Sequence, residues 1–396
     1  MEQVNTVNLI VVAVVMAIAA GIPALLPRLP VPGVVLDIVL GAVVGPQVLG
    51  LVHPGTTLNF MADFGLGMLF LIAGFEMDPA VLRGRPIRNA VAGWVISAVI
   101  ALGAAMLLFE MGLAGAPILT ALALCTTAIG ALMPMLRDAR LLGPPYGALV
   151  LAGGAIGEAA PVIVLSLVLA GSARAVPQAL IMLAFAGGAF AAVVLTARAS
   201  SGHFATLVER TMGSSGQLPM RLTIVLLILL VVLSDELDID LVLGAFVAGA
   251  IVRAGLADHQ REAMATRLDG VGSAFLVPIF FITSGVRLDV AALLSHPVAL
   301  AMVPIYAVLM LATRGLPTIL LYRADLNPRQ CFGLALHLAT QISVVVAITS
   351  IAVHRGMMPG AQGAALVGGG ILTTILYPAM ARRFLQEELA PDGRTT

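Results

Sequence analysis

The chain has 396 residues, 60% of them hydrophobic and 11% charged, with a formal net charge of zero. Its apolar runs are long enough to cross a bilayer, which takes about 20 residues at ~1.5 Å rise each, and they are continuous rather than alternating, so the composition reads as an all-α polytopic membrane protein and excludes an outer-membrane barrel. The neutral balance gives no footing for a nucleic-acid partner, and Cys125 and Cys331, far apart in hydrophobic segments, are expected to be free thiols from which no metal or cofactor site can be built.

Thirteen spans are expected, at about 6–26, 33–51, 60–78, 89–110, 116–136, 147–171, 178–197, 221–234, 240–256, 271–286, 299–321, 331–353 and 361–381. Residues 1–5 lack a basic n-region, so no cleavable signal is expected. Most connections are short, with the longest at 198–220 and 257–270. With the N-terminus outside, seventeen arginines fall on the inner side and three, Arg174, Arg287 and Arg355, on the outer side. That asymmetry supports an odd number of spans in the cytoplasmic membrane, N-terminus out and C-terminus in.

In chain order, the fifth span carries Thr126 and Thr127, then Gly130 and Pro134, and reads as a broken helix. For the two threonines alone, bonding back to the preceding turn is an equally good reading. The sixth span, GALVLAGGAIGEAAPVIVLSLVLAG, holds one carboxylate near its middle, Glu158. A charge there costs at least about 2.5–3.5 kcal/mol on insertion scales and is usually retained for function. Gly153, Gly154 and Gly157 let backbone or solvent approach it, and Pro161, lacking an N–H, frees the carbonyl of Gly157. Glu158 is therefore expected to bind a proton or a cation in mid-membrane; the alternative is a protonated Glu hydrogen-bonded in a helix interface. The eighth and ninth spans are joined by an acidic outer turn with Asp235, Glu236, Asp238 and Asp240, read as solvated. In the eleventh span, Arg314 lies too deep to snorkel and needs an anion or carbonyl partner. The twelfth span carries His337, Thr340, Gln341 and Ser343 at mid-depth and reads as the second broken helix. Spans 4–6 and 11–13 run in opposite directions, each with a polar break in its middle member, which is the pattern of inverted repeats with two crossed discontinuous helices in a secondary transporter.

Four stretches resemble the cation:proton antiporter superfamily, in its bacterial sodium/proton and potassium/proton branch. They are VLDIVLGAVVGPQVLGL in the second span, DFGLGMLFLIAGFEMD in the third, LVLGAFVAGAIV in the ninth and FLVPIFFITSGVRLD in the tenth. The resemblance implies about thirteen helices in one transporter domain, with spans 4–6 and 11–13 (about 89–171 and 299–381) as the ion-transporting core and spans 1–3 and 8–10 mainly as scaffold. It implies a homodimer through the early and middle spans, including the first, second and ninth, where Gly41, Gly45, Gly244 and Gly249 permit close helix approach. It further implies that Glu158 and Arg314 carry the chemistry, that Glu158, Thr126 and Thr127 line a monovalent cation site, and that Gly157, Gln341 and Ser343 support it. The family's adjacent acid pair reads Gly157-Glu158 here, and its acid in the twelfth-span break is missing, with Ser343 nearby.

The expected function is exchange of a monovalent cation, Na⁺ or K⁺, for H⁺ by alternating access, with no enzymatic activity and no cofactor. With one titrating group, Glu158, the exchange is expected to be one-for-one and electroneutral. A proton- or sodium-coupled carrier of an organic anion, with Arg314 in an anion site, and a non-transporting sensor on the same fold stay open at this point.

Overall fold

In a computed structural model, the described residues are 6–25, 31–76, 85–129, 146–169, 216–237 and 241–389, with shorter pieces between 132 and 141 and between 181 and 196, and residues 210 and 211. Most of the expected seventh span, the 198–220 connection and part of the acidic 235–240 turn lie outside them, as do Gly130 and Pro134. Among the described residues, eight helices are long and apolar enough to span a membrane and three more are shorter and apolar. No strand occurs among those residues. The described residues divide into two compact units, one within 54–78 and 162–283, the other within 6–53, 79–161 and 284–396.

The smaller unit contains α3 (Thr56–Glu76), α7 (Leu218–Glu236), α8 (Leu241–Gly255), α9 (Asp258–Leu268), a π-helical stretch Asp269–Leu276 and the first part of α10 (Val277–Arg287). Its tightest pairing is α3 with α8. A Cβ on Gly74 would sit 1.9 Å from the Phe246 carbonyl oxygen, and one on Gly249 the same distance from that of Leu71. The two backbones touch because neither position carries a side chain. Gly244 likewise abuts Ser234 and the Leu230 carbonyl of α7. Gly244 and Gly249 are thus taken up inside the chain, where the sequence had offered them to a dimer partner. The stretch expected as a connection at 257–270 is helical instead. Its Gln-Arg-Glu-Ala-Met-Ala core is good helix former, and Gln260 Oε1 accepts the backbone N–H of Ala257 at the start, at 3.2 Å. The π turn precedes Pro278, which has no N–H to give; the N–H of Val277 reaches back five residues to the Gly272 carbonyl.

The larger unit holds α1 (Thr6–Leu25), α2 (Gly33–Val44), α4 (Arg85–Glu110), α5 (Pro117–Leu124) and α6 (Tyr146–Leu169) as far as Pro161. It also holds the end of α10, α11 (Val290–Ser295), α12 (Pro297–Tyr322), α13 (Pro328–Leu338), α14 (Ser343–His354) and α15 (Gly360–Leu389). The second span is shorter than the expected 33–51. At Gly45-Pro46 it leaves the helix for a turn closed by Gly50 in the left-handed region (φ +63°). Both expected breaks are present, between α5 and residue 129 and between α13 and α14. The start of α5 is held by one side chain. Gln362 of α15 donates its amide to the Gly115 carbonyl (3.0 Å) and the Thr120 hydroxyl (2.9 Å), and its Oε1 accepts the Gly115 N–H (2.7 Å). The twelfth span, α13 plus α14, is the most deeply buried of the eight long candidates, as befits a helix whose polar interruption must be shielded from lipid.

Candidate functional site

The site forms where the two breaks meet α6 and α12, all within the larger unit. In the fifth span the helix stops at Leu124, and residues 126–128 are non-helical. Their backbone donors turn outward. The Thr127 N–H donates to the Gly157 carbonyl (3.0 Å) and the Ala128 N–H to the Thr340 carbonyl (2.9 Å). The first bond exists because Pro161 leaves the Gly157 carbonyl without its intrahelical donor. The second ties one break directly to the other.

The twelfth span unwinds after Leu338 and resumes at Ser343. Gln341 organises the gap. Its N–H donates to Thr373 Oγ1 (3.1 Å), its carbonyl accepts the hydroxyls of Thr373 (3.1 Å) and Thr374 (3.2 Å), and its side-chain Nε2 donates to the Leu124 carbonyl (2.9 Å). Its Oε1 accepts the Thr126 hydroxyl at 3.2 Å, a proton that Thr126 shares with the Ala123 carbonyl. Thr126 and Thr127 therefore do more than bond back to the preceding turn.

Helix ends leave carbonyls unsatisfied and carry partial negative charge. Two adjacent residues of α12 meet the two ends that converge here. Thr313 donates its hydroxyl to the Leu124 carbonyl, the last of α5, at 2.6 Å. Arg314 approaches the Leu338 carbonyl, the last of α13, with Nε at 3.4 Å. Arg314 is 3% exposed. Its Nη2 also donates to the Gly153 carbonyl of α6 (3.0 Å), and Nη2 and Nε both donate to Thr127 Oγ1 (2.8 and 3.1 Å). The Thr127 hydroxyl in turn donates to the Leu338 carbonyl at 2.6 Å. A hydroxyl has one proton and two lone pairs, and all are engaged here. The sequence asked for an anion or carbonyl partner for Arg314; carbonyls of two helices fill that place, with a threonine between them.

Gly157 sits against this knot. A Cβ there would fall 2.5 Å from Thr127 Oγ1 and 2.6 Å from Arg314 Nη2, so the absence of a side chain is what admits the guanidinium. Glu158 is the next residue of α6 and is 5% exposed. The structure thus gathers Gly157, Thr126, Thr127, Arg314 and Gln341 around the crossing, with Glu158 adjoining it in the chain. Ser343 is buried at the first position of α14, while the described bonds of the gap run through Gln341. Sequence reasoning passed over Thr313, Thr373, Thr374 and Gln362. Thr373-Thr374 was open to it, since a polar pair in mid-span had already marked the fifth helix. His337, in the last turn before the break, pairs with the Tyr146 phenol.

The model of the sodium/hydrogen exchanger transmembrane family matches residues 11–387. A putative Na⁺/H⁺ antiporter of Bacillus subtilis, YjbQ, is 28% identical over the whole chain, which spans 66% of that protein's length. A probable Na⁺/H⁺ antiporter of Methanocaldococcus jannaschii is 20% identical, over 93% of the chain and 94% of that protein. Among solved structures, that of the sodium proton antiporter MjNhaP1 from Methanocaldococcus jannaschii at pH 8 superposes with a TM-score of 0.67. It covers 96% of the chain and 97% of its own, at 17% identity, a likeness of fold.

Proposed function

The chain belongs to the sodium/hydrogen exchanger family, and from that premise we propose that it exchanges a monovalent cation, Na⁺ or K⁺, for H⁺ across the bacterial cytoplasmic membrane. The observation that carries this reading is the burial of Glu158 beside two interrupted helices whose loose ends are tied by Arg314, Thr313 and Gln341. A buried carboxylate needs a positive partner or a proton. It takes one proton or one cation, and the competition between them couples the two fluxes. Thr126, whose lone pairs accept none of the bonds described above, adds a hard oxygen suited to an alkali ion. Thr127 holds Arg314 in place, and enters the cation shell only where the guanidinium releases it. Gly157, Gln341 and Ser343 shape the surroundings. Arg314 keeps its charge through the cycle, so each crossing moves one H⁺ one way or one cation the other, and the exchange is electroneutral.

Spans 4–6 and 11–13 act as the moving core, with the N-terminus outside and the C-terminus in the cytoplasm. A homodimer through the early spans follows from the family alone, since Gly45, Gly244 and Gly249 meet neighbours within the chain. The organic-anion reading asks Arg314 to offer its guanidinium to a substrate, whereas Nε and Nη2 are already given to Thr127, Gly153 and Leu338.

The test is proton flux in proteoliposomes with Na⁺, K⁺ and Li⁺ added in turn, for the native chain and for Glu158→Gln. Cation-stimulated flux is expected from the native chain and none from a well-folded Gln variant, which keeps the size of the side chain but cannot trade a proton for a cation. Native-like flux in the Gln variant would remove Glu158 from the mechanism.

A further inference from the structure

Tyr146 opens α6, and His337 stands in the last turn of α13. Neither has a part in the exchange chemistry above. Their side chains meet, with Tyr146 Oη 2.7 Å from His337 Nδ1 and the rings edge-on, centroids 6.0 Å apart. Both are buried, and the shell around Tyr146 is apolar, with Leu149, Val150, Leu334 and Leu338 in the same cluster.

Seven residues further along α6, about 10 Å by helical rise, Gly153 receives the next residue of α13. A Cβ on Gly153 would lie 2.7 Å from Leu338 Cδ1. Arg314 bridges this second contact through the carbonyls of Gly153 and Leu338. The last turn of α13 is therefore held on α6 at two separated points. The apolar packing between the two helices is non-directional, whereas the directional contacts at these two points fix rotation and axial position.

We propose that Tyr146 and His337 are positioning residues for cation exchange. Their hydrogen bond sets the register of α6 on α13, and so the place of Glu158, five residues past Gly153, relative to the twelfth-span break. The proposal rests on the exchange role of Glu158. It does not depend on the histidine tautomer. Either the phenol donates to Nδ1, or Nδ1–H donates to the phenol oxygen. In both cases an asparagine at 337 can set its Oδ1 or Nδ2 where Nδ1 stands.

The experiment measures proteoliposome proton flux against cation concentration, with thermal midpoints alongside, for Tyr146→Phe, His337→Ala, His337→Asn and the double variant Tyr146→Phe/His337→Ala. Each single loss is expected to raise the apparent KM for the cation about three- to tenfold, the scale of one buried hydrogen bond, with Vmax per folded transporter within about twofold. The double variant is expected to be no worse than His337→Ala, because both remove one interaction. His337→Asn is expected to bring KM back toward the native value. Four outcomes would overturn the proposal: an unchanged KM in both single variants, a fall in Vmax and thermal midpoint at constant KM, additive losses in the double, or no recovery with asparagine. Native flux with an unchanged KM in the variants overturns the positioning role alone. Absence of cation-stimulated flux from the native chain overturns the exchange reading and this one with it.

Discussion

Placing one methyl group at Gly157 tests the packing of the whole crossing. In Gly157→Ala the new Cβ would lie 2.5 Å from Thr127 Oγ1, 2.6 Å from Arg314 Nη2 and 2.8 Å from Thr127 Cβ, so something must move by about 1 Å to reach ordinary contact. The guanidinium tip is the flexible candidate. Its retreat gives up the Nη2 bonds to Thr127 and Gly153, at about 1.5–3 kcal/mol for each hydrogen bond to a charged group. Thr127 Cβ is the stiff one, because the Thr127 N–H is bonded to Gly157 itself at 3.0 Å. Shifting the break costs about 1–3 kcal/mol as overpacking, with about 1 kcal/mol more for that bond. Alanine returns about 0.5–1 kcal/mol of helix preference over glycine. Relaxing either group alone leaves the other under 3.0 Å from the new Cβ, so both must give, and the net loss is about 4 kcal/mol or more, falling on the residues beside Glu158. Cation-stimulated proton flux is expected to drop about tenfold or more, and the thermal midpoint of the purified protein to fall. The control is Gly103→Ala on α4, where a Cβ meets nothing within 4 Å; it is expected to keep both flux and midpoint. If Gly157→Ala matched the native chain in both measurements, Arg314 and Thr127 would not be packed against Gly157, and the account of the crossing would fail.

Two further expectations concern charge. In Arg314→Lys a single ammonium replaces a planar fork and cannot serve Thr127, Gly153 and Leu338 together; a loss of about 3–5 kcal/mol in stability, the scale for breaking a buried charge arrangement, should appear as a lower thermal midpoint with reduced flux, and a lysine variant equal to native in both would show that the fork geometry is unnecessary. With Glu158 the single exchanging group and Arg314 fixed, an imposed membrane potential is expected to leave the flux in pH-clamped vesicles unchanged; a strong dependence on that potential would mean that a second charge moves.

The sequence by itself determined that the chain is all-helical and membrane-spanning, and where two of its spans are interrupted. A helix that must satisfy its own backbone in lipid is a long apolar run, and a departure from it, whether a carboxylate, an arginine, a mid-span threonine pair or a proline, is conspicuous because each is costly there. Glu158, Arg314, the Thr126-Thr127 break and the Gly157 carbonyl freed by Pro161 were legible for that reason. Polar character misled at 257–270, where helix formers outside the apolar belt were read as a connection. What only the tertiary structure decided is who pairs with whom. Thr313 with Leu124, Arg314 with Thr127 and Gln341 with Leu124 are 189, 187 and 217 positions apart. No local period encodes such pairs; they arise because two unwound segments cross, each exposing donors and acceptors that the other, or a neighbouring helix, must satisfy where no water competes. The same close packing turned Gly244 and Gly249 inward to α7 and α3 and left Gly157 as the space that Arg314 fills. A glycine in sequence says only that a close approach is permitted; the folded chain decides what approaches.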